Sequence, residues 1–184
     1  MEKIIDEIYS ISPHKQEYHN KTNFVVESDS VYGETHKQSI DSIVSIFKKY
    51  FNNSTVFYDL GCGLGKIVAH IGLKYSPKKS IGVELSKERL NAAYFIKSEY
   101  NLPNNIEYIN DSFLNVDISD ATVIYCDNTM YNDSLNLEIY EKVPKGCLFI
   151  CRRKLPTIKG FTTESNESFK TTYFKDKIHY IIKQ

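Results

Sequence analysis

The 184-residue sequence contains no apolar run that approaches the roughly 20 residues needed by a membrane-spanning helix. Its N-terminus mixes acidic and apolar residues, whereas a secretory signal would be basic and then apolar. Its four cysteines form no C-x-x-C pair, which argues against structural zinc and a disulfide framework. These absences predict an intracellular protein that has no membrane partner and no bound metal.

Net charge is also absent, because 23 basic residues balance 23 acidic ones. General attraction to nucleic acid is therefore not expected of the whole chain. The balance is uneven, however, since residues 152–184 hold 8 basic and 3 acidic residues. This surplus predicts at most a weak nucleic-acid contact through the C-terminal segment.

The length fits one domain with a single core, and we expect residues 1–184 to form it. Apolar spacing predicts a helix over Lys37–Phe51, then a strand, a glycine-rich turn and a second helix. The N-terminal thirty residues read as a weak helix followed by an extended segment. Further strands are predicted at Ser80–Glu84, Ile106–Ile109, Thr122–Cys126 and Cys147–Cys151, and further helices after Ser86 and over Ser134–Val143.

Strands that alternate with helices pair in parallel, so the pattern predicts an α/β fold. The expected architecture is a mostly parallel twisted sheet with helices on both faces. Beyond Arg152 the alternation fails, and we expect a loop over residues 154–167. An antiparallel hairpin, formed by Phe169–Phe174 and Ile178–Ile182, is predicted to complete the sheet.

Acidic residues follow three successive predicted strands, at Asp59, Glu84 and Asp111. The carboxyl ends of parallel strands meet at one edge of the sheet, where such folds bind ligands. The loop after Asp59 contains Gly61, Gly63 and Gly65 and ends at Lys66. Glycine lets the backbone approach a ligand closely, so these residues predict a small-molecule site.

The charge of this edge indicates which ligand it binds. The loop has the spacing G-x-G-x-G instead of the dinucleotide pattern G-x-G-x-x-G, and a diphosphate would face the Asp59 carboxylate. A ligand with an ammonium group, a ribose and no phosphate fits better, with Asp59 toward the amine and Glu84 accepting from the ribose hydroxyls. That description predicts S-adenosylmethionine, with NAD as the alternative.

The remaining contacts of this ligand can be assigned in the same way. Asp111 would accept a hydrogen bond from the adenine amino group, and the backbone of Ser112 and Phe113 would meet the edge of the ring. Lys66, at the start of a helix, would pair with the methionine carboxylate.

Four segments of the sequence resemble the Rossmann-like class I S-adenosylmethionine-dependent methyltransferases. Within that class the sequence is most similar to the disruptor-of-telomeric-silencing histone lysine methyltransferases. The segments are Val31–Thr35, Tyr58–Lys66 with Ile81–Glu84, Asp111–Leu114, and Val123–Tyr131. The Tyr-Gly-Glu sequence of the first segment is the most discriminating, because most members of the class lack it.

The resemblance implies a protein lysine N-methyltransferase that acts on a histone, in a nucleosome or free, and that works in the nucleus. It implies that Tyr32, Glu34 and Thr35 close over the cofactor, within an N-terminal part that spans residues 1–35 and precedes a catalytic core over residues 36–184. It also implies that Asn128 and Tyr131 lie where the target lysine meets the methyl group.

We expect Asn128 to orient the amine, and Tyr131, Tyr180 and Phe113 to line the lysine channel. The chain departs from the family's paired asparagines at Asp127-Asn128.

Three other functions remain open from the sequence. The protein could instead be an RNA methyltransferase or a small-molecule methyltransferase, and it would then use the same cofactor site and could be cytoplasmic. A module that binds S-adenosylmethionine without turnover would also show it.

Overall fold

The computed structural model describes residues 1–11, 33–155, 158–171 and 175–184. At 165–168, 175 and 176 it describes the backbone alone. Five α-helices lie in these ranges: α1 (Glu2–Ser10), α2 (Lys37–Ile46), α3 (Lys66–Tyr75), α4 (Lys87–Glu99) and α5 (Asp133–Lys142). Seven strands alternate with them or follow them: β1 (Val56–Leu60), β2 (Lys79–Glu84), β3 (Ile106–Asn110), β4 (Val123–Cys126), β5 (Leu148–Cys151), β6 (Thr162–Lys170) and β7 (Lys175–Ile182).

The seven strands form one sheet in the order β3-β2-β1-β4-β5-β7-β6. Strands β1 to β5 pair in parallel with one another, whereas β7 pairs antiparallel with both β5 and β6. The predicted α/β fold is therefore confirmed. The strand order reverses between β1 and β4, so the carboxyl ends of these two strands flank the crevice in which open sheets of this kind bind ligands.

Strand β1 explains how the sheet is buried on both faces. Val56, Tyr58 and Leu60 point to the face that α5 covers, where they pack with Ile139. Phe57 points to the opposite face and joins the apolar residues of α2 and α3. All five residues of β1 are buried, as expected for a central parallel strand covered by helices.

The C-terminal strands differ from the prediction. Strand β6 begins at Thr162, inside the stretch that was expected to be a loop, and β7 begins at Lys175, where a turn was expected. The start of β6 is rich in Thr, Ser, Glu and Asn, because it is an edge strand. A polar edge strand shows no alternation of apolar residues, and this is why the pattern missed it.

Helix α1 is fastened to α2 and α3 by apolar contacts and by a polar cluster. Its Ile5 and Ile8 are buried. Tyr9 lies with its hydroxyl 3.3 Å from Nδ1 of His70, whose Nε2 lies 3.1 Å from Asp41. Burial outweighs this carboxylate and lowers the pKa of His70 to about 4. A neutral His70 that donates to Asp41 and accepts from Tyr9 satisfies both contacts.

Helix α2 ends at Ile46, earlier than the predicted Phe51, and a 3-10 turn follows it over Lys48–Tyr50. All four cysteines are buried and free. None of the helices in the described ranges is long and apolar enough to cross a membrane.

Candidate functional site

The glycine loop after β1 is fixed by its backbone. Gly61, Gly63 and Gly65 all have positive φ angles, of 88°, 55° and 72°. The backbone N–H groups of Gly61 and Cys62 both donate to the Val83 carbonyl, at 2.8 and 3.0 Å. The loop therefore needs residues that accept a left-handed backbone, and it is tied to the neighbouring strand β2.

A cleft with about 410 Å³ of empty space, open to solvent, lies at the carboxyl edge of β1 and β4. The segment before α2, the glycine loop, the first turn of α3 and the end of β4 form its walls. Of the residues predicted to bind the cofactor, those that line it are Glu34, Thr35, Asp59, Gly61, Gly63 and Lys66.

Asp59 is the most deeply placed acid of the cleft, with 2% of its surface exposed. Its Oδ2 atom has no hydrogen-bond partner among the described residues. Burial, reinforced by the nearby carboxylates of Asp127 and Glu84, raises the pKa of Asp59 well above its usual value. A buried carboxylate of this kind is costly unless a cation or a donor pairs with it, so the site fits a positively charged ligand.

Glu84 accepts hydrogen bonds from two backbone N–H groups. Its Oε2 accepts from the Gly63 N–H at 2.9 Å, and its Oε1 accepts from the Ser86 N–H at 2.8 Å. Each carboxylate oxygen can accept a further hydrogen bond. This arrangement links β2 to the glycine loop and suits the predicted role of Glu84 toward a pair of hydroxyl groups.

Lys66 is engaged within the protein. Its Nζ lies 2.7 Å from each carboxylate oxygen of Glu34, and it also donates to the Ile11 carbonyl. These contacts hold the segment before α2 and the end of α1 against α3. An ammonium group has three donors, so the predicted pairing with a ligand carboxylate would require Lys66 to release one of these partners.

Thr35 lies in the segment before α2 that the resemblance predicts to close over the cofactor. Its hydroxyl lies 2.9 Å from that of Tyr125 on β4, and its backbone forms an isolated bridge with Thr171. The segment is therefore fastened to the end of β4 and to the C-terminal strands. Tyr32, which was predicted to act with Glu34 and Thr35, lies outside the described residues.

Asp111, Ser112 and Phe113 form the loop after β3. Asp111 is exposed, and its Oδ1 accepts from the Ser112 N–H at 2.6 Å. The Phe113 ring lies 5.6 Å from the Tyr131 ring. A Cβ atom on Gly61 would lie 2.6 Å from the Tyr131 hydroxyl oxygen. Phe113 and Tyr131 therefore form an aromatic pair that reaches the glycine loop.

Asn128 is bonded within the protein and does not line the cleft. Its side chain is fully buried, and Nδ2 donates to Asn136 Oδ1 at 2.6 Å and to the Arg153 carbonyl at 2.8 Å. Its Oδ1 accepts from the N–H groups of Arg152 and Arg153, at 3.0 and 2.6 Å. These four bonds use the capacity of the amide and join the loop after β4 to the end of β5.

Tyr180 also lies outside the lining of the cleft. It lies on β7, and its ring packs edge-on against Phe47 with centroids 4.7 Å apart. It belongs to the apolar layer between the sheet and α2, not to the lining of the cleft. The alternation of side chains along β7 decides this placement, and the bounds of that strand were not readable from the sequence.

The cleft contains two polar residues that sequence reasoning did not assign to it, Tyr125 and Asp127. Asp127 follows β4 directly, whereas the family resemblance points to its neighbour Asn128. The position of Asp127 at the end of a strand is the signal that could have identified it, since the same rule selects Asp59, Glu84 and Asp111.

Solved structures support the fold. An RNA methyltransferase from Salinibacter ruber, solved with S-adenosyl-L-homocysteine, matches with a TM-score of 0.67 and 20% identity. The match covers 82% of this chain and 94% of that one. An S-adenosylmethionine-dependent methyltransferase from Thiobacillus denitrificans matches with a TM-score of 0.55 and 13% identity, over 79% of this chain and 59% of that one.

Relatives of known activity are similar over shorter shares of their own length. A Caenorhabditis elegans "Histone-lysine N-methyltransferase, H3 lysine-79 specific" is 30% identical over 149 residues, which cover 72% of this chain and 16% of that protein. A Saccharolobus islandicus "Protein-lysine N-methyltransferase" is 35% identical over 69 residues, which cover 38% of this chain and 43% of that protein. The chain thus spans less than half of the length of each of these two relatives.

A family profile covers far more of the chain. Residues 9–182 match the profile described as "Histone methylation protein DOT1". The match includes residues 33–35, the glycine loop and the end of β4, which line the cleft, and it also includes the C-terminal strands. The chain belongs to the DOT1 histone methylation protein family.

Proposed function

We propose that this protein is an S-adenosylmethionine-dependent protein lysine N-methyltransferase, with a histone as its substrate. The observation that carries the proposal is the buried Asp59 carboxylate, whose Oδ2 has no partner among the described residues, in a cleft walled by glycines. Family membership and the names of the two relatives support a lysine acceptor. A histone substrate would place the protein at chromatin.

The donor would lie along the carboxyl edge of the sheet. Asp59 would compensate its positive charge, Glu84 would accept hydroxyl hydrogens, and the Gly61 and Gly63 backbone would approach it closely. S-adenosylmethionine supplies an electrophilic methyl group on a sulfonium. The wall that Lys66 and Glu34 tie together would exclude water from that end of the cleft.

The acceptor must meet the methyl group as an uncharged amine. At pH 7.4, deprotonation of a free lysine with a pKa of about 10.4 costs about 4 kcal/mol. Desolvation lowers this cost, because burial disfavours the ammonium form. The Phe113 and Tyr131 rings, 5.6 Å apart, supply an apolar surface next to the glycine loop that could desolvate the lysine side chain.

The basic C-terminal segment offers less to nucleic acid than its composition suggested. Arg152 is buried, and Arg153 lies 2.8 Å from Asp133 and donates to the Tyr131 carbonyl. These two arginines therefore serve the packing of the loop after β4. RNA methylation remains an outcome that the test below can return.

The test is transfer of a labelled methyl group from S-adenosylmethionine to nucleosomes, free core histones or total RNA, each incubated separately. The blank is Glu84→Ala, which removes the carboxylate held by Gly63 and Ser86. The matched control is Glu107→Ala, which removes a surface carboxylate near Lys79 on the adjacent strand. We expect label on histone with the wild type and with Glu107→Ala, and none with Glu84→Ala.

Label on RNA alone would show that the acceptor is a base or a ribose of RNA and not a lysine. If no pool is labelled although the protein binds S-adenosylmethionine, the enzymatic part of the proposal fails and only a binding module remains.

A further inference from the structure

The end of β4 presents two adjacent polar residues that face different surroundings. Asp127 is half-buried and lines the cleft together with Asp59 and Gly61. Asn128 is fully buried, and its amide forms hydrogen bonds within the protein interior. The polar side chain after β4 that lines the cleft is therefore the carboxylate of Asp127, whereas the resemblance points to the amide of Asn128.

Asp127 is held in place by a local contact. Its Oδ1 accepts from the Thr129 hydroxyl at 2.6 Å. This contact is made by one oxygen and leaves the carboxylate able to accept further hydrogen bonds.

The cleft has the electrostatic character of a cation site. Its described lining carries three carboxylates, from Glu34, Asp59 and Asp127, and one ammonium group, from Lys66. The Lys66 ammonium is bonded to Glu34 at 2.7 Å. The Oδ2 atom of Asp59, which is buried and has no partner in the described part of the chain, lies in the same cleft.

We propose that Asp127 determines specificity for the acceptor by accepting hydrogen bonds from the lysine ammonium group as it enters the cleft, before the amine loses its proton to solvent and meets the methyl group. The proposal rests on the proposed function and names the group that recognises its substrate. A carboxylate binds an ammonium group through charge-assisted hydrogen bonds, and it repels the phosphates of a nucleic acid. A neutral aromatic amine gains no ion pair there. Asp127 thus selects lysine over a nucleobase.

The test compares Asp127→Asn with Asp133→Asn. Asparagine keeps the size of Asp127 and an oxygen that can accept from Thr129, but it removes the charge. Asp133→Asn makes the same change in net charge six residues along, at an exposed position that pairs with Arg153 outside the cleft. A difference between the two variants therefore reports the position of the charge and not its amount.

The first measurement is steady-state turnover on core histones. We expect Asp127→Asn to raise KM about tenfold and to change kcat by less than about threefold, because a lost ion pair weakens binding of the acceptor. Asp133→Asn should change neither value by more than about twofold. An unchanged KM in Asp127→Asn would overturn the proposal, and so would an equal rise in both variants.

The second measurement needs no turnover. The protein, saturated with S-adenosylhomocysteine, is titrated by NMR with a blocked alanine-glycine peptide that has one central lysine and with its norleucine counterpart. The wild type should prefer the lysine peptide about tenfold, and Asp127→Asn should lose the preference. If the preference survives in Asp127→Asn, the assignment is wrong. Because this arm reads binding alone, it separates a failure of Asp127 from a failure of the proposed reaction.

Discussion

The two sides of the cleft are built by different means. On the donor side, at the ends of β1 and β2, backbone groups fix the geometry: Val83 accepts from two N–H groups of the glycine loop, and Glu84 accepts from Gly63 and Ser86. On the acceptor side, after β4, a single side-chain amide, that of Asn128, joins two loops. A backbone-built site tolerates sequence change outside its glycines, whereas a site built on one amide depends on that residue.

The largest expected effect is a loss of unfolding free energy on the acceptor side. Asn128→Ala leaves the Arg152 and Arg153 N–H groups and the Asn136 side chain without their buried partner. We expect a loss of about 4 kcal/mol in the free energy of unfolding, because each orphaned buried group costs about 1–3 kcal/mol. Urea denaturation measures it.

The control is Asn132→Ala, which removes the N-cap of α5 and should cost about 1 kcal/mol. A fully stable Asn128→Ala protein that has lost turnover would instead restore the catalytic role first predicted for Asn128.

The next effect breaks the donor side. Gly65→Ala forces a side chain onto a φ of 72° and places its Cβ 2.4 Å from the Tyr108 ring. Gly146→Ala imposes a similar φ of 78° and meets nothing within 4 Å. Backbone strain alone costs about 1–2 kcal/mol, so Gly146→Ala should lose about 1 kcal/mol and Gly65→Ala about 3 kcal/mol of unfolding free energy.

Thermal or urea denaturation of both variants separates the crowding from the strain. Equal losses would show that the Tyr108 ring moves aside without cost, and that the loop is less constrained than its contacts imply.

A third prediction sharpens the comparison at the outer wall of the donor side, where α1 packs over His70. The pKa of this residue is about 4 in the folded protein and 6.5 as the ordinary value. As the pH falls from 6.5 to 4, the unfolded chain takes up the proton first, so stability decreases over this window. The decrease should reach about 3 kcal/mol, at about 1.4 kcal/mol for each pH unit.

Urea denaturation at several pH values measures the decrease, and His70→Gln should flatten it. His179→Gln is the control, because His179 lies on β7 and its ring is bonded to the Thr163 hydroxyl at an exposed position. A wild-type stability that stays constant between pH 6.5 and 4 would mean that His70 is not shielded by α1.

The smallest effect concerns the edge of the acceptor side. Tyr180→Phe keeps the ring that packs on Phe47 and removes only the hydroxyl. We expect unfolding free energy within about 0.5 kcal/mol of the wild type, as for changes away from buried polar contacts, and an unchanged kcat and KM. A tenfold loss of turnover in the same histone assay would return Tyr180 to the lysine channel.

The same contrast explains what the sequence could predict. The donor side contains a glycine-rich loop and acids at strand ends, which are local features of the sequence. The sequence therefore singles out Asp59, Glu84 and the loop, and of these Asp59, Gly61 and Gly63 line the cleft. The acceptor side depends on which of two adjacent residues turns into the cleft. Asp127 and Asn128 are equally polar, and only the position of Asn136 and of the Arg152 and Arg153 backbone decides between them. Such contacts join residues that are distant in the chain.

The predicted start of β6 was wrong for a related reason. Its polar residues from Thr162 onward resemble a loop, and they form a strand because β7 supplies the partner. The antiparallel pairing of β6 with β7 was predicted, but the bounds of both strands depended on tertiary contacts that local propensity does not contain.

Calorimetric titration of the wild type and of Asp59→Asn with S-adenosylmethionine, S-adenosylhomocysteine and NAD tests most directly whether the acidic edge binds a cationic donor. We predict that the wild type binds both adenosyl ligands and not NAD. Asp59→Asn should weaken both S-adenosylmethionine and S-adenosylhomocysteine by at least about tenfold, because both carry the ammonium group that Asp59 is predicted to meet. Binding of NAD in place of S-adenosylmethionine, or undiminished binding of both adenosyl ligands to Asp59→Asn, would contradict the account.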